Sequence, residues 1–352
     1  MIDARARIRS AWEGRISGCM LGKPIEVLSM RKGQDAVDAY LRGVEALPLR
    51  DYIPYDGRDP WVEPLAACCR GRIVRSEPDD DIQYTVLALM MLERWGAALT
   101  TRDVARTWLQ HLPVAATYTA ERAAYRILLE KGDERFPDRG EPGFDLAACA
   151  DNPYNDWIGA QIRADVYGWV APGRPHLAAR LATADAQLSH RGDGIGGAVF
   201  VAVTGALIPV TSSLDEAVGG ALGFIERDSA AFVAIMLGRS LAGDADGAAK
   251  IRAAYPGMSP VHTVNNLALV VWALLSHPDD FDAAIGDAVA AGLDTDCNGA
   301  TVGGLWGVQG KPVPAHWLAP WRGRVAVNLA GQSELALEDL VERTFAVQAA
   351  LA

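Results

Sequence analysis

The stretch PDDDIQYTVLALMMLERWG, residues 78 to 96, decides how the rest of the chain is read. Three acids follow Pro78, an apolar run comes next, and the run stops at Gly96, a residue that commonly ends helices. Acids in a first turn suit the positive end of the helix dipole. The pattern predicts a helix over Asp79 to Trp95. Working outward, the same signals repeat. Ile8, Ala11, Trp12, Ile16, Cys19 and Met20 fall at helical spacings on one face. Pro24 is expected to break that helix and to leave Glu26 just beyond its end. Thr101 is a candidate cap for RDVARTWLQHL. Further helices are expected over Thr119 to Glu130, Asp156 to Val170, Arg174 to Leu188, Gly194 to Leu207, Ser213 to Ile225 and Ser229 to Leu241. Others follow over Asp246 to Tyr255, His262 to Leu275, Asp279 to Ala291 and Cys297 to Trp306. A last helix is expected over Ser333 to Leu351, without a capping box because Ala336 is not acidic. Strand signals are scarce: RVAVNL, residues 324 to 329, alternates in part but stands alone. With no β-α alternation, a doubly wound sheet is excluded.

Two irregular stretches, Leu47 to Glu77 and Lys131 to Asn155, are longer than ordinary connections and read as functional or mobile loops. No composition break, fixed-period repeat or low-complexity tract divides the chain. Its 352 residues suffice for a sizeable core without a disulfide or metal staple. Acids number 44 and bases 33, a net charge of −11. That balance argues against a nucleic-acid or anionic-membrane partner, which would need a basic surface. No apolar run is read as approaching the roughly 20 residues of a membrane span. The start lacks the apolar core of a secretory signal. The five cysteines are odd in number and match no zinc spacing, so a reduced, cytoplasmic setting is expected.

Four elements carry chemistry. Asp79-Asp80-Asp81 crowds three carboxylates at a helix start, which disfavours full ionisation unless a cation is present. A solvated cap with extra acids and a hard-metal site stand as equal readings. Asp294 and Asp296, in GLDTDCNG, again stand where a helix begins and are able to point the same way toward an oxygen-liking ion. An Asx-type turn is the plain alternative. In GCMLGKPIE, residues 18 to 26, two glycines four apart allow close backbone approach. Lys23 either pairs with Glu26 or is solvated. In LSHRGDG, residues 188 to 194, His190 is either a core histidine or a substrate contact. Asn155 and Asp156, in DNPYNDW, read as turn residues or as substrate contacts. No nucleophile elbow, P-loop or dinucleotide fingerprint is present.

A GxxxGxxxE segment, an acid triplet opening a helix, a mid-chain Ser-His before a Gly-rich helix, and a late GxDTDxxxA element occur in that order. Together they resemble the ADP-ribosylglycohydrolase family, from about Ile8 to Gly307. The resemblance implies an all-α fold, a single compact multi-helix domain over residues 1–352, and a pair of magnesium ions, with manganese as a substitute. It implies metal ligands at Asp80, Asp81, Asp294 and Asp296, and Asp79 is expected as an extra hard ligand that compensates for the family's missing hydroxyl. It implies catalytic roles for Glu26, Asp80 and Asp296, and a place for His190 near the distal ribose. Gly192 and Gly194, with Asn155 and Asp156, are the other candidate substrate contacts. Two departures stand out. Asp79 and Ile82 occupy places where the family usually has threonine, and Cys297 replaces a hydroxyl residue. A thiol is a soft donor, poorly suited to magnesium.

The implied reaction is hydrolysis of an ADP-ribosyl or related ribosyl conjugate by metal-activated water at the anomeric carbon. Glu26 would take a proton from that water or align it. Gly192, Gly194, Gly196 and Gly197, with Arg191 nearby, would offer backbone N–H groups to a diphosphate. One rival keeps the fold and metals but takes a small nucleotide or nucleoside N-glycoside rather than a modified protein. Another is an ADP-ribose-binding protein without turnover.

Overall fold

Asp3 accepts a hydrogen bond from the Ala6 N–H and so caps the first helix, α1, Ala4–Lys32. In the computed structural model, which describes residues 3–352, the chain continues through α2 (Gln34–Gly43), α3 (Asp80–Trp95), α4 (Thr101–His111) and α5 (Thr119–Lys131). Then come α6 (Asp165–Trp169), α7 (Pro175–Ala186), α8 (Gly192–Leu207), α9 (Leu214–Ala221) and α10 (Ala230–Ser240). After α11 (Gly247–Ala254) stand α12 (Thr263–Ser276), α13 (Phe281–Ala290), α14 (Thr295–Gly307) and α15 (Ala315–Leu318). A hairpin of β1 (Arg324–Leu329) and β2 (Gln332–Ala336) precedes the last helix, α16 (Leu337–Leu351). The fold is all-α, and among the described residues this antiparallel hairpin is the only sheet. One contiguous apolar core runs from Ile8 to Val347.

Four expectations are corrected. Pro24 lies inside α1, which runs on to Lys32, so Glu26 sits on a helix rather than past its end. Proline removes one backbone donor, but tertiary contact clamps the helix there. Gly22 packs against the Thr295 backbone, and the Thr295 hydroxyl donates to the Gly22 carbonyl at 2.8 Å. Ser333 is no helix cap: it lies in β2, at the irregularity between the Gln332–Leu329 and Glu334–Ala326 pairs, and the helix begins at Leu337. The expected helix over Asp156 to Val170 is two pieces, a 3-10 turn at Ile158–Arg163 and α6. At α4 the cap is Thr100 rather than Thr101, and Thr100 forms a full capping box with Asp103.

Asp79 caps α3 from an extended conformation, with its side chain accepting the Asp81 N–H. The hairpin leans on the same place. Ser76 bridges β1, donating its N–H to the Arg324 carbonyl at 2.9 Å. α1 and α14 approach backbone to backbone. A Cβ on Gly18 would strike the Gly299 carbonyl, and one on Gly14 would strike that of Gly303. The stretch Gly192–Val210, α8 and the turn after it, is 19 residues with mean hydropathy 1.7. By length and composition alone it is apolar enough to cross a membrane, against the sequence expectation. In this fold 67% of it is buried inside the chain.

Candidate active site

The α1–α14 contact carries Glu26 toward Asp294 and Asp296, and the N-terminus of α3 brings Asp79, Asp80 and Asp81 to the same place. Donor atoms of Glu26, Asp294 and Asp296 lie within 4.8 Å of one another. So do those of Asp81, Asp296 and Cys297, and those of Cys19, Asp79 and Asp81. Asp296 belongs to two of these groups and Asp81 to two. Glu26, Asp79, Asp81, Asp294 and Asp296 therefore converge, although more than 260 residues separate the first from the last, while Asp80 stands in none of these groups and lines the neighbouring cleft.

The surroundings set each group's protonation. Burial pushes Glu26 well above the usual carboxylate range, and Asp296 and Asp294 push it further. Asp80 rises for the same reasons, burial first and then Asp79 and Asp296. Asp81 also rises through burial and Asp79, with Arg15 opposing. Asp294 and Asp296 rise through burial, then through their carboxylate neighbours. Asp79 alone goes down. Burial works against it, but the Lys23 ammonium and the Asp81 N–H outweigh that. Burial holds the Cys19 and Cys297 thiols well up and therefore neutral, so neither offers a thiolate.

Lys23 pairs with Asp79, not with Glu26 or with solvent. Arg15 is the second buried cation. Its Nε donates to the Asp81 carbonyl at 3.0 Å and its Nη1 to Asp165 at 2.8 Å, with a further bond to the Ile162 carbonyl. Arg15 thus fixes the backbone of the acid triplet. Nothing in its sequence context marks it, because its partners lie 66 and 150 residues away. Two carboxylate oxygens, Asp81 Oδ2 and Asp294 Oδ1, are buried with no hydrogen-bond partner among the described residues. Buried, unpartnered carboxylate oxygens are costly unless something positive meets them. Hard oxygen donors suit a cation such as magnesium or manganese, and the residues present fit one.

The other sequence candidates gather at the start of α8. A Cβ on Gly194 would meet the Asn155 carbonyl, the His190 ring and the Asp156 backbone. Gly192 has a positive φ of 47° and open space around it. Several side chains here are already engaged. Asn155 Nδ2 donates to the Ala150 carbonyl at 2.8 Å, and Asp156 lies 3.2 Å from His262. Arg191 turns its guanidinium back to the carbonyls of His190 and Ala147, away from the role of a phosphate arm. His190 is fully buried, with Nδ1 2.8 Å from the Ser189 hydroxyl. Burial and Arg163 keep its ring neutral, well below the ordinary histidine range. Arg163 is held in turn by Glu121 and Asp185.

Residues absent from the sequence expectations join the two groups. Asn266 Oδ1 accepts from the Asp294 N–H at 3.3 Å and from Asn298 Nδ2 at 2.8 Å. One turn earlier on α12, Thr263 meets Gln161 across Gly197, where a Cβ would touch both side chains. Gln161 is fully buried with neither amide atom partnered among the described residues. A cleft of about 470 Å³ opens beside Asp79 and Asp80, between Pro113, Tyr118 and the hairpin at Val327 and Asn328. Tyr118 is 55% exposed at its rim. Single polar or aromatic residues give no periodic signal of their own, so only the folded chain reveals them.

Residues 1–350 match the family model described as ADP-ribosylglycohydrolase. A comparison with curated proteins found no match. A solved structure called an ADP-ribosylglycohydrolase-related protein complex superposes with a TM-score of 0.56 at 18% identity. The match covers 98% of this chain and 99% of that one, and at that identity the likeness is one of fold.

Proposed function

The chain belongs to the ADP-ribosylglycohydrolase family, and we propose that it is a cation-dependent hydrolase of an ADP-ribosyl or related ribosyl N- or O-glycoside. The observation that carries this reading is the convergence of Glu26, Asp294 and Asp296 beside Asp81 and its unpartnered oxygen. Asp81, Asp294 and Asp296 are the residues that would hold magnesium or manganese. When bound, such an ion supplies positive charge that acidifies water and anchors ribose hydroxyls.

The chain's own groups account for the rest. Breaking a glycosidic bond at ribose develops positive charge at the anomeric carbon, and a carboxylate cluster favours that charge. Glu26 is half-buried in α1 and shares the cluster with Asp294 and Asp296. Its carboxylate oxygen lies within 4.8 Å of theirs, which places it to accept the proton of the attacking water. Asp80 faces the cleft and orients the bound sugar. The N-terminus of α8 presents the Gly192 backbone N–H to a diphosphate, while the Gly194 N–H donates to the Arg191 carbonyl at 2.9 Å. His190, backed by Ser189 and Arg163, fixes the shape of that turn next to Asn155 and Asp156. Residues 1–352 act as one such domain.

The test is turnover. Protein with magnesium is incubated with ADP-ribosylated protein, with a dinucleotide conjugate and with a nucleoside conjugate, and free ADP-ribose or ribose is measured. Release from the modified protein supports the reading as stated. Release only from a small conjugate moves the substrate to a nucleotide or nucleoside glycoside. Binding of ADP-ribose with no release from any of them makes the chain a binding protein and sinks the hydrolase.

A further inference from the structure

The mechanism above leaves the Lys23–Asp79 pair without a task. Lys23 comes off α1 into the acid cluster, with a side chain only 13% exposed. Both oxygens of Asp79 are engaged, Oδ2 by the Lys23 ammonium and Oδ1 by the Asp81 N–H at 2.9 Å. Asp79 therefore has a positive partner and a capping bond within the chain itself. Its group of converging donors is completed by the Cys19 thiol and Asp81. The thiol is a soft donor and adds little for a hard cation. At the opposite end, Asp294 Oδ1 and Asp81 Oδ2 are nine-tenths or more buried and unpartnered among the described residues, and each of the two side chains shares a donor group with Asp296. The cluster is thus asymmetric: one end already holds a positive charge and the other lacks one.

We propose that the Lys23 ammonium is the resident cation at the Asp79 end, so that the cluster takes a single divalent ion, at Asp81, Asp294 and Asp296. This rests on the cation-dependent reading above and narrows it. A fixed ammonium among buried carboxylates repels a second divalent ion at short range, because little water screens the two charges. It also compensates Asp79, which would otherwise be a bare buried charge. Asp79 is then a capping and pairing residue and not a ligand.

Counting ions tests this independently of turnover. Wild-type chain is saturated with manganese, freed of excess by gel filtration, and assayed by elemental analysis and electron paramagnetic resonance. One ion per chain is expected, with no spin-coupled pair. Lys23→Met, checked for folding by circular dichroism, is expected to take two ions and to show coupling, because the vacated Asp79 end regains its negative charge. If that variant does not fold, the wild-type count decides alone. Two ions per wild-type chain, or a folded Lys23→Met chain that still takes one, overturns the inference while leaving the hydrolysis standing. No bound ion together with no turnover overturns the proposed function and this inference with it.

Discussion

At the scale of single residues, the acid cluster shows how position changes the meaning of a side chain. Asp79, Asp80 and Asp81 are consecutive and chemically identical, yet their fates differ. Asp79 is held low by Lys23, Asp81 is buried against Arg15, and Asp80 lines the cleft. Asp296 stands in two of the three donor groups, so it is the residue whose loss should cost most. Asp296→Asn is expected to lower cation-dependent turnover by at least about a hundredfold while leaving the far-ultraviolet circular dichroism of the fold intact. Full activity of that variant in the presence of a chelator would falsify the cation assignment. A second residue-scale expectation lies outside the site. Burial pushes Glu13 up to about 7, with Arg9 opposing. Its folded pKa is above the unfolded one, so the folded state binds the extra proton. Stability is then greatest below the unfolded value and declines as pH rises from about 4.5 to about 7. Glu13→Gln should raise unfolding free energy at pH 8 by roughly 1–2 kcal/mol and leave it nearly unchanged at pH 4. Urea melts at the two pH values check the sign.

At the scale of elements, the α1–α14 pair positions the chemistry. Gly18 and Gly299 let the two backbones touch, and that contact sets the spacing between Glu26 and the Asp294–Asp296 turn. Gly18→Ala puts a methyl group against the Gly299 carbonyl, with backbone rather than a flexible side chain in the way. The helices must part. A loss of at least about 2 kcal/mol and a weakened affinity for manganese are expected together. Gly43→Ala, on α2 with open space around it, is the control and should change neither. Thermal melts and manganese titration of the two variants decide the matter. If Gly18→Ala binds manganese as wild type does, the helix contact does not govern the site. Pro24 belongs to the same scale. A local rule ends the helix there, but α1 continues because Thr295 holds Gly22 just before the proline and Ser29 beyond it donates to the Leu293 carbonyl at 2.8 Å.

At the scale of the whole molecule, the net charge of −11 is unevenly distributed. Five of the acids meet at one buried place, where Lys23 and Arg15 are the cations within reach. Such a cluster repels itself, so divalent cation should stabilise the fold. Free cation at about one hundred times its dissociation constant should add about 2.7 kcal/mol, and a chelator should lower the thermal midpoint. A midpoint indifferent to both would mean that the cluster binds no ion. Much of this was legible in the chain itself. Helix starts and stops are local: Asp79 before α3, Gly96 after it, and the acids of the Asp294 turn all announce themselves within a few residues. The acids at the two helix starts and the predominance of helix follow from such signals, because a cap or an apolar period needs no distant partner, whereas the role of Glu26 and the all-α class came from the family resemblance. The course of α1 past Pro24, the pairing of Lys23 with Asp79, the grip of Arg15 on the acid triplet and the engagement of Arg191 by the Ala147 carbonyl were decided only by the tertiary structure. In each case the partner lies tens to hundreds of residues away, and the energy comes from burying charge or backbone in a place that exists only once the helices have packed.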